Sequence, residues 1–399
     1  MHTGYPGRLL DLAVLLSLFS SDRVGQLVLI SREAIRKRIN DRFVKVVKQL
    51  LCNCIFQHFG EERSSVDTQL FAAFGQVITQ DSTTFSLPET MKETFPGNYS
   101  RGEKKSVARL DLIIDLKSFS SKEIQLKSYS EMDVTAAGNI MPHLKSGDLV
   151  LRDMGYFSLN SLAQIAGVGC YFLSRLRFGI ACYEPSGKKK LDLVRVLCTL
   201  RTSTTDMNIL LGAKKRLPCR LVAVKLPPEV AAERIRKAKK DRRSSANHSK
   251  TYYKLLEWAI YITNVPSEIW TAAQVPHAYQ SRWQIETIFK AWKSNLNLRN
   301  IKNPWLKSHH TIEAIIYCAM IFVVSTLNPI YRKIKKKARG SVSILKIARI
   351  LKVASSIQGN LCEQSQLEFI LQYLGSFEKR KKRKNSFQKF AMPFNPCLS

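Results

Sequence analysis

The sequence predicts an α/β fold, and two features of the chain support this. Three β-rich segments follow one another before the first predicted helix of the core, as consecutive strands do. After them, strand-like and helix-like segments alternate, which is typical of a sheet covered by helices. The predicted strands lie at 76–83, 107–116, 122–129, 147–153 and 170–176, with a helix at 158–167 between the last two. Three consecutive strands followed by alternation is the order of a ribonuclease-H-like sheet, which we take as the predicted core.

The alternation is interrupted once. Residues 178–256 contain strand-like pieces at 191–200 and 219–226 and a strongly basic helix at 228–243, which together indicate a β-rich basic insertion. The segment 257–266 then resumes the pattern of a buried strand, and helices follow it. The predicted organisation is a helical region at 1–70, the first part of the core at 71–177, the insertion at 178–256, a core strand and helix at 257–300, and a helical region with a basic tail at 301–399.

The N-terminal helical region is both amphipathic and basic. Apolar residues such as Ile35, Ile39 and Phe43 recur at helical spacing, and Arg and Lys surround them. A unit of this kind is either a DNA-binding head or a helix with an ordinary solvated basic face, and the sequence does not separate these readings. The tail at 379–384, KRKKRK, is typical of a contact with a polyanion that has no sequence preference.

The charge of the chain indicates its class of partner. Of 399 residues, 63 are Lys or Arg and 31 are Asp or Glu, which gives a formal net charge of +32. A compact protein with this charge repels itself unless a polyanion neutralises it, so nucleic acid is the favoured partner. A membrane or ribosomal surface is the alternative.

Cysteine usage and apolar runs exclude several classes. The nine Cys include no CxxC pair and no Cys/His cluster with zinc spacing, so we expect reduced thiols in a cytosolic protein. The apolar runs at 9–19 and 314–327 are shorter than the roughly 20 residues that span a bilayer. The first run contains Asp11 and is followed by no small-residue cleavage site, so we expect no secretory signal and no membrane partner.

A helix predicted at 278–296 carries four polar side chains on one side. At 100° per residue, Tyr279, Arg282, Glu286 and Lys293 lie within an arc of about 60°. The adjacent arc is apolar and suited to packing on a sheet; it holds Ile285, Ile288, Phe289, Trp292 and Leu296. An ordinary Arg–Glu pair at i, i+4 beside a lysine is the simpler interpretation of the polar side.

The spacing of these four residues is also specific. Tyr279, two residues, Arg282, three residues, Glu286, six residues and Lys293, within RWQIETIFKAWK, resembles the Tyr-Arg-Glu-Lys signature of the DDE-type insertion-sequence transposases of the insertion sequence four family. That resemblance implies two further carboxylates upstream, each at the end of a core strand.

Two aspartates fit this requirement. Asp81 ends the first predicted strand and precedes a Ser and two Thr, like the first catalytic Asp of the family. Asp153 ends the fourth and is followed by Gly155 and Phe157, similar to the Asp-x-Gly-x-Phe pattern of the family.

Other aspartates compete for the same role, namely Asp111, Asp115 and Asp148. Asp148 and Asp153 are five residues apart in one strand, so they point to opposite faces and only one can face the site. We choose Asp153, because ligands gather at the carboxyl ends of strands in open α/β sheets.

The resemblance implies a metal-dependent DDE transposase, and the residue types suit that chemistry. Three carboxylates are suitable ligands for Mg²⁺, for which Mn²⁺ can substitute, and Arg and Lys bind phosphate. By resemblance, the catalytic and metal-binding residues are Asp81, Asp153 and Glu286, and the DNA-binding residues are Tyr279, Arg282, Lys293 and Trp258. For Trp258, stacking on a flipped base and an ordinary place in the core are equally open.

The implied activity is cut-and-paste transposition. The implied partners are double-stranded DNA, as terminal inverted repeats and as target, and a second copy of the chain, in the cytoplasm and nucleoid of a bacterium. Two other classes stay open. One is a catalytically inactive, transposase-derived DNA-binding protein, and the other is a ribonuclease-H-like nuclease with a cellular substrate.

Overall fold

The fold is taken from a computed structural model of the chain. It describes residues 37–60, 69–100, 103–129, 136–200, 202–240, 249–283, 285–286, 289, 308–322 and 324–325. Most of the predicted N-terminal head, most of the C-terminal region with its tail, and Lys293 lie outside this part of the chain. None of the helices within the described ranges is long and apolar enough to cross a membrane.

The strands of the described residues form a single sheet. Their bounds are β1 Val77–Ser86, β2 Pro96–Ser100, β3 Glu103–Asp115, β4 Ser121–Ser128, β5 Leu149–Arg152, β6 Tyr171–Arg175, β7 Cys182–Tyr183, β8 Thr204–Leu211, β9 Leu217–Lys225 and β10 Trp258–Thr263. The order along the sheet is β2-β3-β1-β5-β6-β10-β9-β8-β7, and β4 pairs with the free side of β3.

The first part of this sheet has the predicted ribonuclease-H-like arrangement. β3 is antiparallel to both β1 and β4, whereas β5 is parallel to both β1 and β6. The order β4-β3-β1-β5-β6 therefore places three antiparallel strands on one side and two parallel strands on the other. This confirms the predicted fold class.

Helices cover this sheet and flank it. Their bounds are α1 Asp41–Gly60, α2 Leu159–Gly167, α3 Leu193–Thr199, α4 Pro228–Lys239, α5 Lys250–Leu255, α6 Gln274–Gln280 and α7 His309–Phe322, with short 3-10 helices at Glu89–Met91, Ala137–His143 and Met154–Tyr156. α1 packs against α7. Because Ala314, Ile316, Met320 and their apolar neighbours in α7 are buried, the run predicted as a core helix is one in its described part.

The second part of the sheet comes from the predicted insertion. β8 and β9 form an antiparallel pair, and β10 is antiparallel to both β9 and β6, so the insertion extends the core sheet. The segment 191–200, expected as a strand, contains helix α3. The carboxylate of Asp192 accepts a hydrogen bond from the backbone N–H of Arg195 at 3.1 Å, which caps the helix start. Strands β2, β7 and β8 were missed, because they are short or polar.

The central strands of the sheet are buried along their whole length. All four residues of β5 and all six of β10 are buried. The apolar core below them includes Ile78, Val150, Phe172 and Ile262. Each such side chain contributes about 1.5–3 kcal/mol when it is buried. Buried strands therefore support the candidate site.

The helix predicted at 278–296 is interrupted. Helix α6 ends at Gln280, and the next two residues form a turn with i to i−3 hydrogen bonds. These run from Ser281 N to Ala278 O and from Arg282 N to Tyr279 O, each at 3.2 Å. Helical backbone resumes at Trp283. The helical wheel of an unbroken α-helix thus does not apply across Tyr279 and Glu286, and the observed contacts define the site instead.

Candidate active site

Asp81 lies inside strand β1 and not at its end, which corrects the prediction. β1 continues to Ser86 because it stays paired with β3, where Asp81 is opposite Leu112. On its other side the pairing with β5 stops earlier, at Thr79 and Leu151. Asp81 therefore stands just beyond the point where β1 loses its parallel neighbour β5.

Asp153 follows β5 directly, as predicted. It is the N-cap of the short helix Met154–Tyr156, and its Oδ2 accepts a hydrogen bond from Gly155 N at 3.0 Å. The parallel register that pairs Thr79 with Leu151 leads, two residues later, to Asp81 beside Asp153. The two aspartates predicted from different strands are thus neighbours across the sheet.

Arg282 joins Asp153 to Glu286. Its Nη2 lies 2.6 Å from Oε1 of Glu286 and 3.4 Å from Oδ1 of Asp153. The Arg282 side chain is only 7% exposed, whereas the side chains of Asp153 and Glu286 are 34% and 26% exposed. One buried guanidinium therefore holds two carboxylates that open to solvent.

Tyr279 completes the buried side of the site. Its ring lies 5.6 Å from the guanidinium of Arg282 and 5.4 Å from the ring of Tyr261. Burial raises the pKa of Tyr279 to about 12, so its hydroxyl keeps its proton and can donate a hydrogen bond. Arg175, the last residue of β6, acts on Tyr279 and Tyr261 as a nearby cation. Sequence reasoning missed Arg175, although a charge ending an apolar strand was a usable signal.

The electrostatics connect Asp81 to the same site. Burial, together with the carboxylates of Asp153 and Glu286, raises the pKa of Asp81 to about 7. The backbone N–H of Ser82, which donates to Oδ1 of Asp81 at 2.8 Å, and the Arg282 guanidinium act against this rise. For Arg282, burial lowers the pKa, but the phenol and the carboxylates around it outweigh burial and raise it. The three predicted carboxylates therefore interact with one another and with one cation.

Replacement of Asp81 by asparagine should stabilise the metal-free protein. An unfolded Asp loses its proton near pH 4, whereas folded Asp81 keeps it up to about pH 7. The folded state binds more protons in this range, so wild-type stability falls as the pH rises from about 4 to 7, and the penalty is complete above 7. We expect Asp81→Asn to unfold at higher denaturant concentration at pH 8, by on the order of 3 kcal/mol, and to match wild type at pH 4. Equal denaturant midpoints at pH 8 would contradict the assigned environment.

The competing aspartates have other, structural partners. Asp148 accepts hydrogen bonds from Gln76 N at 2.9 Å and from Lys145 N at 2.8 Å. Asp115 accepts from Val77 N at 3.0 Å. Both therefore tie loops to the start of β1, at the end opposite to the candidate site. Asp111 is buried and pairs with Nε of Arg109 at 2.6 Å in β3.

Two predicted DNA-binding residues are not placed in the site. Lys293 lies outside the described residues. Trp258 is 5% exposed and packs within the core below β10, with the Lys225 ammonium 6.0 Å from its ring. This favours the core role over the stacking role, because stacking on a base would require the indole to leave the core.

The donor set of the site fits a hard divalent cation. Within the part of the chain that the structure describes, no three His, Cys, Asp or Glu side chains are already arranged to hold a metal ion. Arg282 instead lies between Asp153 and Glu286 and supplies the positive charge there. Three carboxylates thus share this one cation; burial is the main cause of the raised pKa of Asp81, and Asp153 and Glu286 add to it. Oxygen donors with surplus negative charge are what Mg²⁺ requires.

The fold and the site together define a class. A ribonuclease-H-like sheet carries two aspartates on adjacent central strands and a glutamate from the following helical segment, all around one arginine. The sequence profile of the family described as "Transposase DDE domain" matches residues 72–323. The chain belongs to this family, as the resemblance in the sequence implied.

The relatives of the chain are insertion-sequence transposases. It is 28% identical over 301 residues to the transposase for insertion sequence element IS231F of Bacillus thuringiensis subsp. israelensis, which is 70% of this chain and 63% of the relative. It is 29% identical over 296 residues to the transposase for IS1151 of Clostridium perfringens, covering 69% and 62%. The matched region thus spans less than two thirds of these relatives. The cryo-EM structure of the piggyBac transposase synaptic complex with hairpin DNA aligns with 98% of this chain and 80% of that chain at 12% identity and a TM-score of 0.38, which is too weak to support an argument.

Proposed function

We propose that the chain is a DNA transposase that cleaves DNA at the ends of a mobile element and joins the released ends to a target. The observation that carries the proposal is the arrangement of Asp81, Asp153 and Glu286 around Arg282, beside the point where β1 and β5 stop pairing. Family membership supports transposition as the process. The proposed route is metal-dependent cut-and-paste transposition.

Mg²⁺ is the cofactor that we propose, with Mn²⁺ as a substitute. Asp81, Asp153 and Glu286 would hold it, and the bound metal would supply the activation of the attacking oxygen and the stabilisation of the leaving oxygen. Asp81 lies in β1 and Asp153 directly follows the buried strand β5, which suits them to this task, since a metal site needs ligands that are fixed in advance.

The cationic side of the site is suited to a phosphodiester. The guanidinium of Arg282 can form paired hydrogen bonds with phosphate oxygens, and the neutral hydroxyl of Tyr279 can donate one more. Arg175 adds positive charge beside Tyr279. In the proposed reaction these groups orient the scissile phosphate and neutralise its charge, which supplies much of the rate in phosphoryl transfer.

Arg282 has two roles in this proposal. Without metal and DNA it balances the carboxylates of Asp153 and Glu286. When cations neutralise those carboxylates, the guanidinium becomes free to turn to a phosphate. We infer that metal and DNA bind cooperatively. The metal would take over the carboxylates from Arg282, and a DNA phosphate would take over the guanidinium from the carboxylates.

DNA and a second copy of the chain are the proposed partners. Two element ends must be held together for joint cleavage and insertion, which is why we propose a homodimer on DNA. The net charge of +32 supports a large, sequence-independent contribution to DNA affinity.

A test of DNA transfer separates this function from its alternatives. A marked DNA segment between the inverted repeats that flank the coding sequence is incubated with the chain, a target plasmid and Mg²⁺. Transfer of the marked segment supports a transposase. Cutting without transfer favours a nuclease with a cellular substrate, and binding without cutting favours an inactive DNA-binding protein. Glu286→Gln is the matched control, since it keeps the size and hydrogen-bonding capacity of the side chain but not its charge.

The basic end of the sheet is a candidate DNA contact. Two turns, at 184–190 and 212–216, meet there and carry Lys188, Lys189, Lys190, Lys214 and Lys215. Arg216 joins the turns, because its Nη1 donates to Gly187 O at 3.2 Å and its guanidinium lies 3.2 Å from the centre of the Tyr183 ring. We call this pair of turns the basic knuckle.

Neutralising the basic knuckle should reduce the salt dependence of DNA binding. Each phosphate contact contributes about 0.9 to the slope of log K against log salt. We expect a triple change of Lys188, Lys189 and Lys190 to Gln to lower that slope by about 2–3 on non-specific duplex DNA. The matched control changes Lys92, Lys105 and Lys122 to Gln, which lie in or near β3 and β4 toward the opposite end of the strand order. It should lower the slope by less than about 1. Equal slopes for the two variants would show that the basic knuckle does not contact DNA.

A further inference from the structure

The backbone pairing between β1 and β5 stops before it reaches the two aspartates. The parallel register pairs Val77 with Leu149 and ends at Thr79 and Leu151. Two positions further along, Asp81 and Asp153 stand side by side without a ladder to fix their separation. Another contact is needed to set that separation, because two strands can diverge where they no longer pair with each other.

The intervening position is occupied by a buried polar pair. Nη1 of Arg152 donates to Oε1 of Gln80 at 2.8 Å, directly across the two strands. Gln80 and Arg152 are each 1% exposed. Side chains alternate between the faces of a sheet, so this pair lies on the face opposite to Asp81 and Asp153.

Both members of the pair are also anchored elsewhere. Nη2 of Arg152 donates to the carbonyl of Ala137 at 2.5 Å and to Oγ of Ser161 in α2 at 2.9 Å. Nε2 of Gln80 donates to the carbonyl of Ala136 at 3.0 Å. The pair therefore spans β1, β5, the 3-10 helix at Ala137–His143 and α2.

Burying an arginine side chain at this position costs free energy. All the acceptors that we observe for it among the described residues are uncharged. An apolar side chain of similar size would avoid the cost of burying a charge, and such replacements are often neutral or stabilising. Packing alone does not explain the arginine.

We propose that Arg152 is a positioning residue that acts through Gln80 to fix the separation of Asp81 and Asp153. The proposal rests on the proposed function, since it is the metal-binding role of the aspartates that makes their separation important. The Arg152–Gln80 hydrogen bond takes the place of the missing ladder one position before the acidic pair. Loss of this bond lets the strand ends diverge, so the aspartates bind a cation less tightly.

A purely structural role makes a different forecast. If Arg152 only anchors α2 to the sheet, then its bond to Ser161 should matter as much as its bond to Gln80. Ser161→Ala removes the first bond and leaves the second, and Gln80→Met does the reverse. These two variants therefore form a matched pair, and Gln80→Glu is the rescue variant because it keeps an acceptor for Arg152.

The experiment measures Mn²⁺ binding by electron paramagnetic resonance titration of the full-length chain, together with the urea midpoint of each variant. We expect Gln80→Met and Arg152→Met to weaken binding at least tenfold, and Ser161→Ala and Gln80→Glu to change it less than threefold. The double variant Gln80→Met/Arg152→Met should be no weaker than Arg152→Met alone, since both changes break one interaction. Urea midpoints should not follow this ranking.

The outcomes separate this inference from the proposed function. Equal weakening by Gln80→Met and Ser161→Ala, or unchanged Mn²⁺ affinity in Arg152→Met, overturns the positioning role. If the variants bind Mn²⁺ with the expected ranking but the wild-type chain neither cleaves nor transfers DNA, the proposed function is wrong and the positioning role still holds. Unchanged Mn²⁺ affinity in the Asp81→Asn variant overturns both the positioning role and the proposed function.

Discussion

Replacement of Asp153 by alanine should reduce cleavage at element ends by at least about a thousandfold, while DNA binding changes only a few-fold. The size of the effect follows from its cause, since a cation that stabilises the transition state contributes several kcal/mol to the rate and about 1.4 kcal/mol corresponds to a factor of ten. Asp81→Ala and Glu286→Ala should behave alike, because all three carboxylates serve one site. Cleavage of labelled element ends in Mg²⁺, beside a gel-shift measurement of binding, checks this expectation.

The matched control for these variants is Asp148→Ala. Asp148 directly precedes β5, the strand that Asp153 follows, and is buried, but its carboxylate accepts hydrogen bonds from the backbone N–H groups of Gln76 and Lys145. Its removal should lower stability by about 1–3 kcal/mol and leave the cleavage rate of the folded protein nearly unchanged. Full strand cleavage by all three site variants would refute the assignment of the site.

Replacement of Arg282 by alanine should affect stability and catalysis together. It removes the buried cation between Asp153 and Glu286, which leaves their repulsion and that of Asp81 uncompensated. Breaking a fully buried pair costs about 3–5 kcal/mol. Because the two carboxylates are 34% and 26% exposed, we expect on the order of 2–3 kcal/mol here. Cleavage should fall at least about a hundredfold, because the scissile phosphate also loses a donor.

Magnesium should distinguish the two contributions of Arg282. In Arg282→Ala, Mg²⁺ should raise the thermal unfolding temperature more than in wild type, since the cation replaces the missing positive charge. The cleavage rate should stay low even at saturating Mg²⁺, because the phosphate contact is still absent. Arg282→Lys, which keeps the charge but not the paired donors, should restore stability more than rate. If Mg²⁺ fully rescues the rate of Arg282→Ala, the proposed phosphate contact is wrong.

The core strands could be predicted because their apolar pattern reflects burial. The alternation of strands and helices from 76 to 176 has the order that the sheet shows. Segment 191–200 was expected as a strand because its Leu and Val residues are frequent in strands. The helix depends on the cap that Asp192 supplies, which outweighs the strand preference of its Leu and Val residues.

The resemblance predicted the three carboxylates and Arg282 as site residues, but the sequence analysis missed Arg175. Asp153 and Glu286 were found from their spacing and strand position, and their joint contact with Arg282 was an open question until the turn at Ser281 and Arg282 was seen. The role of Gln80 beside Arg152 depends on strand register, which the sequence of neither strand contains alone.

We propose that Asp81, Asp153 and Glu286 jointly hold a divalent cation. The most direct test is the anomalous scattering of Mn²⁺ in crystals of the chain bound to an element-end duplex. We expect an anomalous peak at about 2.0–2.3 Å from carboxylate oxygens of Asp81 and Asp153, with Glu286 as a further ligand and Arg282 turned toward the DNA. Mn²⁺ peaks only at other residues, with these three carboxylates facing apart in the DNA complex, would contradict the claim.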